Sequence, residues 1–350
     1  MKEKKLLYEV SIIRPLIIFL LVVLHSFAPI IGSWEAIKGV ETIPAYYWLC
    51  KFIQGFRIET IALIAGYVFA FQSIDLGRKY DFLPFAWKKV KRLIIPCIAF
   101  SLAYFLLFNY EGETFKPLNF CVTILSGAGH LWFLPMLFWC FIAIWIIDKY
   151  KLSSWWLLVT LCILSIFPIP FYVPLGFQRL PHFLFYCYLG YYIYEQHEIL
   201  ISNGMNWKPI ILLWLFYISA TIVNVIYVLP KVRLLGSAEF LDKIIWYGAQ
   251  GTLNLLCSVS GILALYLLVM KLINRTDYRP KQWIINMSKI CYGVYVFHQF
   301  ILEWLYYHTA MPQHVNAWLL PWTMLLITCL ASYALTKLTL LTKTGKFLIG

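Results

Sequence analysis

The chain has 350 residues, of which 62% are hydrophobic and only 13% charged, and its formal net charge is +13. Soluble domains carry roughly 25% charged residues, so this composition excludes a water-soluble core. The positive balance is not a nucleic-acid footprint, because the basic residues sit between apolar runs rather than on one face or tail.

A membrane-spanning helix needs about 20 mainly apolar residues. Cutting the chain at charges, Pro and Gly leaves ten runs of about that kind, at 12–31, 55–73, 92–109, 131–148, 153–169, 182–195, 208–229, 249–270, 288–308 and 317–341, the fifth and sixth being the shortest. Amphipathic Trp and Tyr rings gather where hydrocarbon meets headgroups, and the chain has 15 Trp and 24 Tyr. The expected fold is therefore all-α: a polytopic membrane protein with about ten transmembrane helices and membrane lipids as its surroundings. No internal repeat, linker or soluble segment divides it, so residues 1–350 are expected to form a single integral membrane domain.

The first run follows Lys2, Lys4 and Lys5 and imitates a signal peptide. It lacks a small-x-small cleavage site and is too long for such a segment, so it is expected to remain as a helix. Orientation follows from Lys and Arg in alternate loops. The N-terminus, the stretch from Arg78 to Arg92, Lys149 with Lys151, the stretch from Lys271 to Lys289, and the tail with Lys337, Lys343 and Lys346 are basic. The opposite loops hold only Lys38, Lys51, Arg57, Lys116, Arg179, Lys231, Arg233 and Lys243. Both termini are accordingly expected in the cytoplasm.

Nine cysteines include no C-x-x-C pair, and most lie inside apolar runs, where they act as small hydrophobes. Only Cys50 and Cys121 lie near enough to loop ends to pair in an oxidising compartment. No zinc spacing occurs, and no metal is expected.

Ionisable groups inside a spanning segment are costly and point to a cavity or a partner. Arg14 and His25 stand eleven residues apart on the first run. At about 100° and 1.5 Å per residue they share a face and lie roughly 16 Å apart along the axis. A long ligand gripped at Arg14 can present its far end at His25. Spacing alone leaves open the alternative of an interface arginine and a packing histidine. Glu59, Asn224, Gln250, Asn254, His298 and Glu303 fall in the same outer half of other runs, with His130 at the outer end of the fourth; together they suggest a hydrated layer.

The third run opens with Lys88-Lys89-Val90-Lys91-Arg92 before Leu93-Ile94-Ile95-Pro96. Positive-inside charge explains this cluster; so does a phosphate clamp, since Arg offers a bidentate fork and Lys a point charge. Walker, G-x-G-x-x-G, G-x-S-x-G and H-E-x-x-H signatures are absent. Any catalysis must rest on the intramembrane residues.

These segments, taken in order, resemble the acyltransferase-3 family of integral membrane acyltransferases. The family's first helix carries Arg or Lys, ten residues, then His, as Arg14 to His25 do. Its R-x-x-R before a Leu/Ile-Pro stretch is matched by Lys89 to Arg92 and the following LIIP. IALIAGYVF around Gly66 and Tyr67, HLWFLP from His130 to Pro135, LPHFLFYCYLGYYI from Leu180 to Ile193 and CYGVYVFHQFIL from Cys291 to Leu302 are similar to its later motifs. One departure is Lys89, which keeps the charge of the first Arg of R-x-x-R but gives up its fork. The chain also lacks the extracytoplasmic SGNH domain of some members and resembles the stand-alone branch.

The resemblance implies transfer of an acyl group, most commonly acetyl, from cytosolic acyl-CoA to a hydroxyl of a cell-envelope carbohydrate or lipid-linked glycan, in a bacterial inner membrane. Acyl-CoA, and acetyl-CoA first, is then the donor substrate, gripped through its phosphates at Arg14, Lys89 and Arg92. His25 is the expected general base, since an ordinary imidazole titrates near about pH 6.5; a covalent acyl-histidine intermediate stays open beside direct transfer. Glu59, His130, His298 and Glu303 are candidates to line the acceptor site, and Glu59, His298 and Glu303 also to orient His25. The competing reading is a transporter of a polar or glycolipid substrate. Transporters often show inverted repeats or paired broken helices, and no such symmetry is visible here.

Overall fold

The computed structural model describes residues 7–35, 37, 40, 42–108, 117–167, 169, 173–197, 199, 206–235, 240–276 and 279–350. Lys2, Lys4, Lys5, Lys38 and Lys116 of the charge pattern lie outside them, as does the side chain of Arg275. Every regular element among the described residues is helical, which establishes an all-α polytopic membrane protein.

The helices are α1 (Tyr8–Phe27), α2 (Pro44–Gln54), α3 (Arg57–Ile74), α4 (Phe82–Lys89), α5 (Ile95–Phe108), α6 (Pro117–Ser126), α7 (Phe133–Lys149), α8 (Trp155–Ile166) and α9 (Leu180–Glu195). They continue as α10 (Trp207–Val223), α11 (Leu229–Arg233), α12 (Phe240–Thr276), α13 (Gln282–Tyr307), α14 (Met311–His314), α15 (Leu320–Thr339) and α16 (Lys343–Ile349). A π turn, Val90–Ile94, joins α4 to α5, and a second, Asn224–Val228, joins α10 to α11.

Each of the ten apolar runs falls on a helix, but among the described residues seven helical stretches are long and apolar enough to cross a membrane: Tyr8–Phe27, Pro44–Ile74, Phe82–Phe108, Gly129–Lys149, Trp207–Arg233, Phe240–Asn274 and Leu320–Thr339. The other three runs correspond to α8, α9 and α13. At 12 and 16 residues α8 and α9 are short, and α13 carries Lys289, His298, Gln299 and Glu303 along its length.

Leu106, Leu212, Leu326 and Leu330 are each more than half exposed, as expected of faces turned to hydrocarbon. The interior forms where α1, α3, α7, α9, α12 and α13 converge, with Ile17, Leu131, Met136, Tyr186 and Val296 fully buried. Small residues let helix backbones approach closely in membranes, and α3 and α9 cross through two of them. A Cβ on Gly66 would collide with the Cys187 carbonyl oxygen, and one on Gly190 with that of Leu63. All nine cysteines are free, so Cys50, which is buried, and Cys121, which is exposed, do not pair.

Candidate active site

A cavity of about 380 Å³ opens between α1, α3, α7, α13 and the α4–α5 junction. Arg14, Lys89 and Arg92 all line it, three cations contributed by two distant stretches of sequence. Lys289 joins them from α13. Among the described residues none of these four forms an ion pair with an Asp or Glu side chain. A cluster of cations over an apolar wall of Ile18, Ile61, Ile64, Leu134 and Leu137 matches a ligand that is anionic at one end and apolar along its arm.

Local structure holds these charges at the rim. Arg92 sits on the π turn, a helix irregularity found often at functional sites. Its carbonyl accepts from the Tyr292 hydroxyl at 3.1 Å, its guanidinium lies over the Tyr292 ring at 5.7 Å, and its Nη1 donates to the Gly350 carbonyl. The ammonium of Lys89 sits 3.2 Å from the centroid of Phe141 and 5.2 Å from that of Phe85. Aromatic faces thus stand in for a counter-ion at Lys89, the position where the fork of an arginine is given up.

Beyond the far end of the cavity lies a histidine pair. Tyr295 lines the cavity, and its carbonyl oxygen is 2.6 Å from Nδ1 of His298. Nε2 of His298 is 2.8 Å from Nδ1 of His25. A carbonyl only accepts, so in the neutral pair Nδ1 of His298 carries the hydrogen and its Nε2 is the acceptor. It follows that His25 donates from Nδ1 and keeps a free lone pair on Nε2. That is the arrangement a general base needs, with the orienting role taken by a histidine. His298 is fully buried, His25 partly accessible, and the Trp34 ring lies 5.6 Å from that of His25.

The remaining candidates separate. His130, in a 3-10 turn before α7, lies with its ring 4.8 Å from that of His298; its Nε2 donates to the Val296 carbonyl at 3.1 Å, and its own carbonyl accepts from the Tyr295 hydroxyl at 2.6 Å. It therefore belongs to the histidine cluster. Glu59 lies 3.7 Å from Nε2 of His182, and Glu303 beside Tyr104. Neither carboxylate orients His25; the nitrogen of His298 occupies that position. Asn224 donates to Asn254 at 2.7 Å, and Gln250 stands one turn of α12 before Asn254. The supposed polar layer is thus divided among the histidine cluster, the Glu59–His182 pair, Glu303 beside Tyr104 and this amide pair, which joins α10 to α12.

Two functional candidates were not singled out from the sequence. Lys289 reads there as a topological charge, and its signal is the spacing Ser288, Tyr292, Tyr295 on the same face. Arg57 reads as a loop cation but begins α3 and is buried, 8% exposed.

A model of the acyltransferase-3 family, described as an acyltransferase domain, matches residues 7–337. The chain belongs to that family. No curated protein and no solved structure matches it. Membership of the acyltransferase-3 family makes the chain a membrane acyltransferase, and the matched span takes in the cavity, the histidine pair and every candidate residue named above.

Proposed function

We propose that this acyltransferase moves an acyl group, acetyl in the simplest case, from cytosolic acyl-CoA to a hydroxyl of a cell-envelope carbohydrate or lipid-linked glycan in a bacterial inner membrane. The observation that carries this reading is the cavity with Arg14, Lys89 and Arg92 at its rim and Tyr295, which holds His298 on His25, at its far end.

In this reading the CoA phosphates lie among the cations and the pantetheine arm follows the apolar wall. The thioester then stands near His25. Nε2 of His25 takes the proton of the attacking hydroxyl as its oxygen bonds to the thioester carbon, and the carbon–sulfur bond breaks to release CoA thiolate, which receives that proton. His298 holds the ring and shares the charge His25 gains. With the positive-inside orientation, the donor enters from the cytosol and the acceptor from the opposite face.

The test is a mass comparison of envelope glycans from a deletion strain and the same strain complemented with the gene. One added acetyl or succinyl mass per sugar, lost with His25→Ala, supports the reading and names the group moved. Identical glycans together with substrate accumulation across the membrane would favour transport.

A further inference from the structure

Three of the helices that line the cavity, α1, α3 and α13, run on past its end, and each carries one polar side chain at the point of exit. On α1 the stripe Arg14, Ile18 continues to His25; on α13 the stripe Ser288, Tyr292, Tyr295 continues to His298. On α3 the lining residues are Ile61, Ile64, Ala65 and Val68, and the next position outward on that face is Arg57. At 100° per residue Arg57 stands within about 40° of Ile61, Ile64 and Val68, and roughly 6 Å beyond Ile61 along the axis.

Arg57 is unusual among the buried polar groups. It is 8% exposed, and its Nε and Nη1 have no hydrogen-bond partner. Glu59, two residues on, lies 3.7 Å from His182 and makes no ion pair with Arg57 among the described residues. Arg57, His25 and His298 each continue a cavity-lining stripe outward on their own helix. A buried guanidinium is kept only where something accepts from it, and two of its donors are unused at the outward end of a helix face that lines the cavity.

We propose that Arg57 donates from Nε and Nη1 to the carbonyl oxygen of the donor thioester and carries the oxyanion formed there. This rests on the acyl-CoA reading above. As the hydroxyl oxygen bonds to the carbonyl carbon and its proton passes to Nε2 of His25, the carbonyl π pair moves onto oxygen. There it meets the two N–H groups of Arg57. Collapse returns the pair, breaks the carbon–sulfur bond and releases the thiolate, which takes from His25 the proton that the hydroxyl gave up. A neutral carbonyl satisfies the two donors in the resting complex and binds them more strongly as it charges, the requirement for transition-state stabilisation.

The experiment uses the full chain in detergent and three ligands: CoA, acetyl-CoA and ethyl-CoA, a thioether in which a methylene replaces the carbonyl. Wild type is expected to bind acetyl-CoA at least about tenfold more tightly than ethyl-CoA, since a hydrogen bond to a charged donor is at stake. Arg57→Gln should bring the two within threefold while leaving CoA affinity alone, and should slow CoA release from acetyl-CoA about 10²- to 10³-fold. Arg57→Lys, which keeps the buried charge, should regain part of that preference.

Equal binding of acetyl-CoA and ethyl-CoA by wild type, or a preference that survives Arg57→Gln, overturns the proposal and leaves the donor site standing. Equal weakening of all three ligands makes Arg57 part of the CoA grip and also overturns it. A wild-type protein that binds none of them removes the acyl-CoA reading and this proposal with it.

Discussion

Nε2 of His298 lies 2.8 Å from Nδ1 of His25, while Nδ1 of His298 is tied to the Tyr295 carbonyl at 2.6 Å. Because the carbonyl fixes which nitrogen of His298 holds the hydrogen, the pair fixes the tautomer of His25 as well. His298→Leu should therefore leave acyl-CoA binding unchanged and lower transfer by about 10²- to 10⁴-fold, the range for losing acid–base function. His298→Gln, which can accept from Nδ1 of His25 through its amide oxygen, should recover part of the rate. Acylation per mole of folded enzyme is the measurement, and equal rates for the two variants would reduce His298 to packing.

Arg92 is exposed at the rim and stands on the π turn. A charge-assisted contact to phosphate contributes about 1.5–3 kcal/mol. Arg92→Ala should weaken acyl-CoA binding about tenfold or more, with the rate at saturating donor little changed. Lys89→Arg should be tolerated, since the aromatic faces of Phe85 and Phe141 accept either cation. Titration calorimetry checks both; unchanged donor affinity in Arg92→Ala would leave the cluster a topological signal.

The α3–α9 crossing depends on two residues with no side chain. Gly66→Ala or Gly190→Ala puts a methyl into the backbone carbonyl of Cys187 or Leu63, so one helix must move. Overpacking of this kind costs about 1–3 kcal/mol. Because α3 also carries Ile61, Ile64 and Val68 of the cavity wall, donor affinity should fall along with thermal stability. Melting curves with and without CoA test the coupling, and a variant that melts like wild type would remove the crossing from the account.

Much of this was legible in the sequence because helices are local. The ten apolar runs, and the eleven-residue step from Arg14 to His25, follow from one helical period and from the cost of charge in hydrocarbon. What joins distant stretches was not legible. Nothing in spacing says that His298, 273 positions away, meets His25, or that Glu59 turns to His182 instead. The Asn224–Asn254 pair fell at the right depth but on helices packed elsewhere, and depth carries no information about azimuth. Arg57 was hidden by its position at a helix start, where a loop cation and a buried one look alike.

Orientation can be read independently of chemistry. The Lys and Arg asymmetry between alternate loops predicts both termini in the cytoplasm. A phosphatase fused after Gly350 should be inactive, and one fused near Glu113 active. The opposite pattern would invert the entry sides of donor and acceptor.

The remaining prediction concerns His25 itself. It shares a helical face with Arg14, it lies outward of a cavity that Arg14 lines, and its Nε2 is left with a free lone pair by the bond to His298. His25→Ala should insert in the membrane normally and bind acyl-CoA with wild-type affinity, because its ring does not line the cavity. Transfer should fall about 10²- to 10⁴-fold. A histidine kept for packing would behave otherwise: expression and melting temperature would drop, and activity would fall only in proportion to folded protein. His25→Gln separates these cases further, since it keeps a hydrogen bond to His298 without a group able to take a proton near neutral pH. If His25→Gln is as stable as wild type and as inactive as His25→Ala, proton transfer is the function lost. Near-normal acylation by either variant would remove His25 from the chemistry.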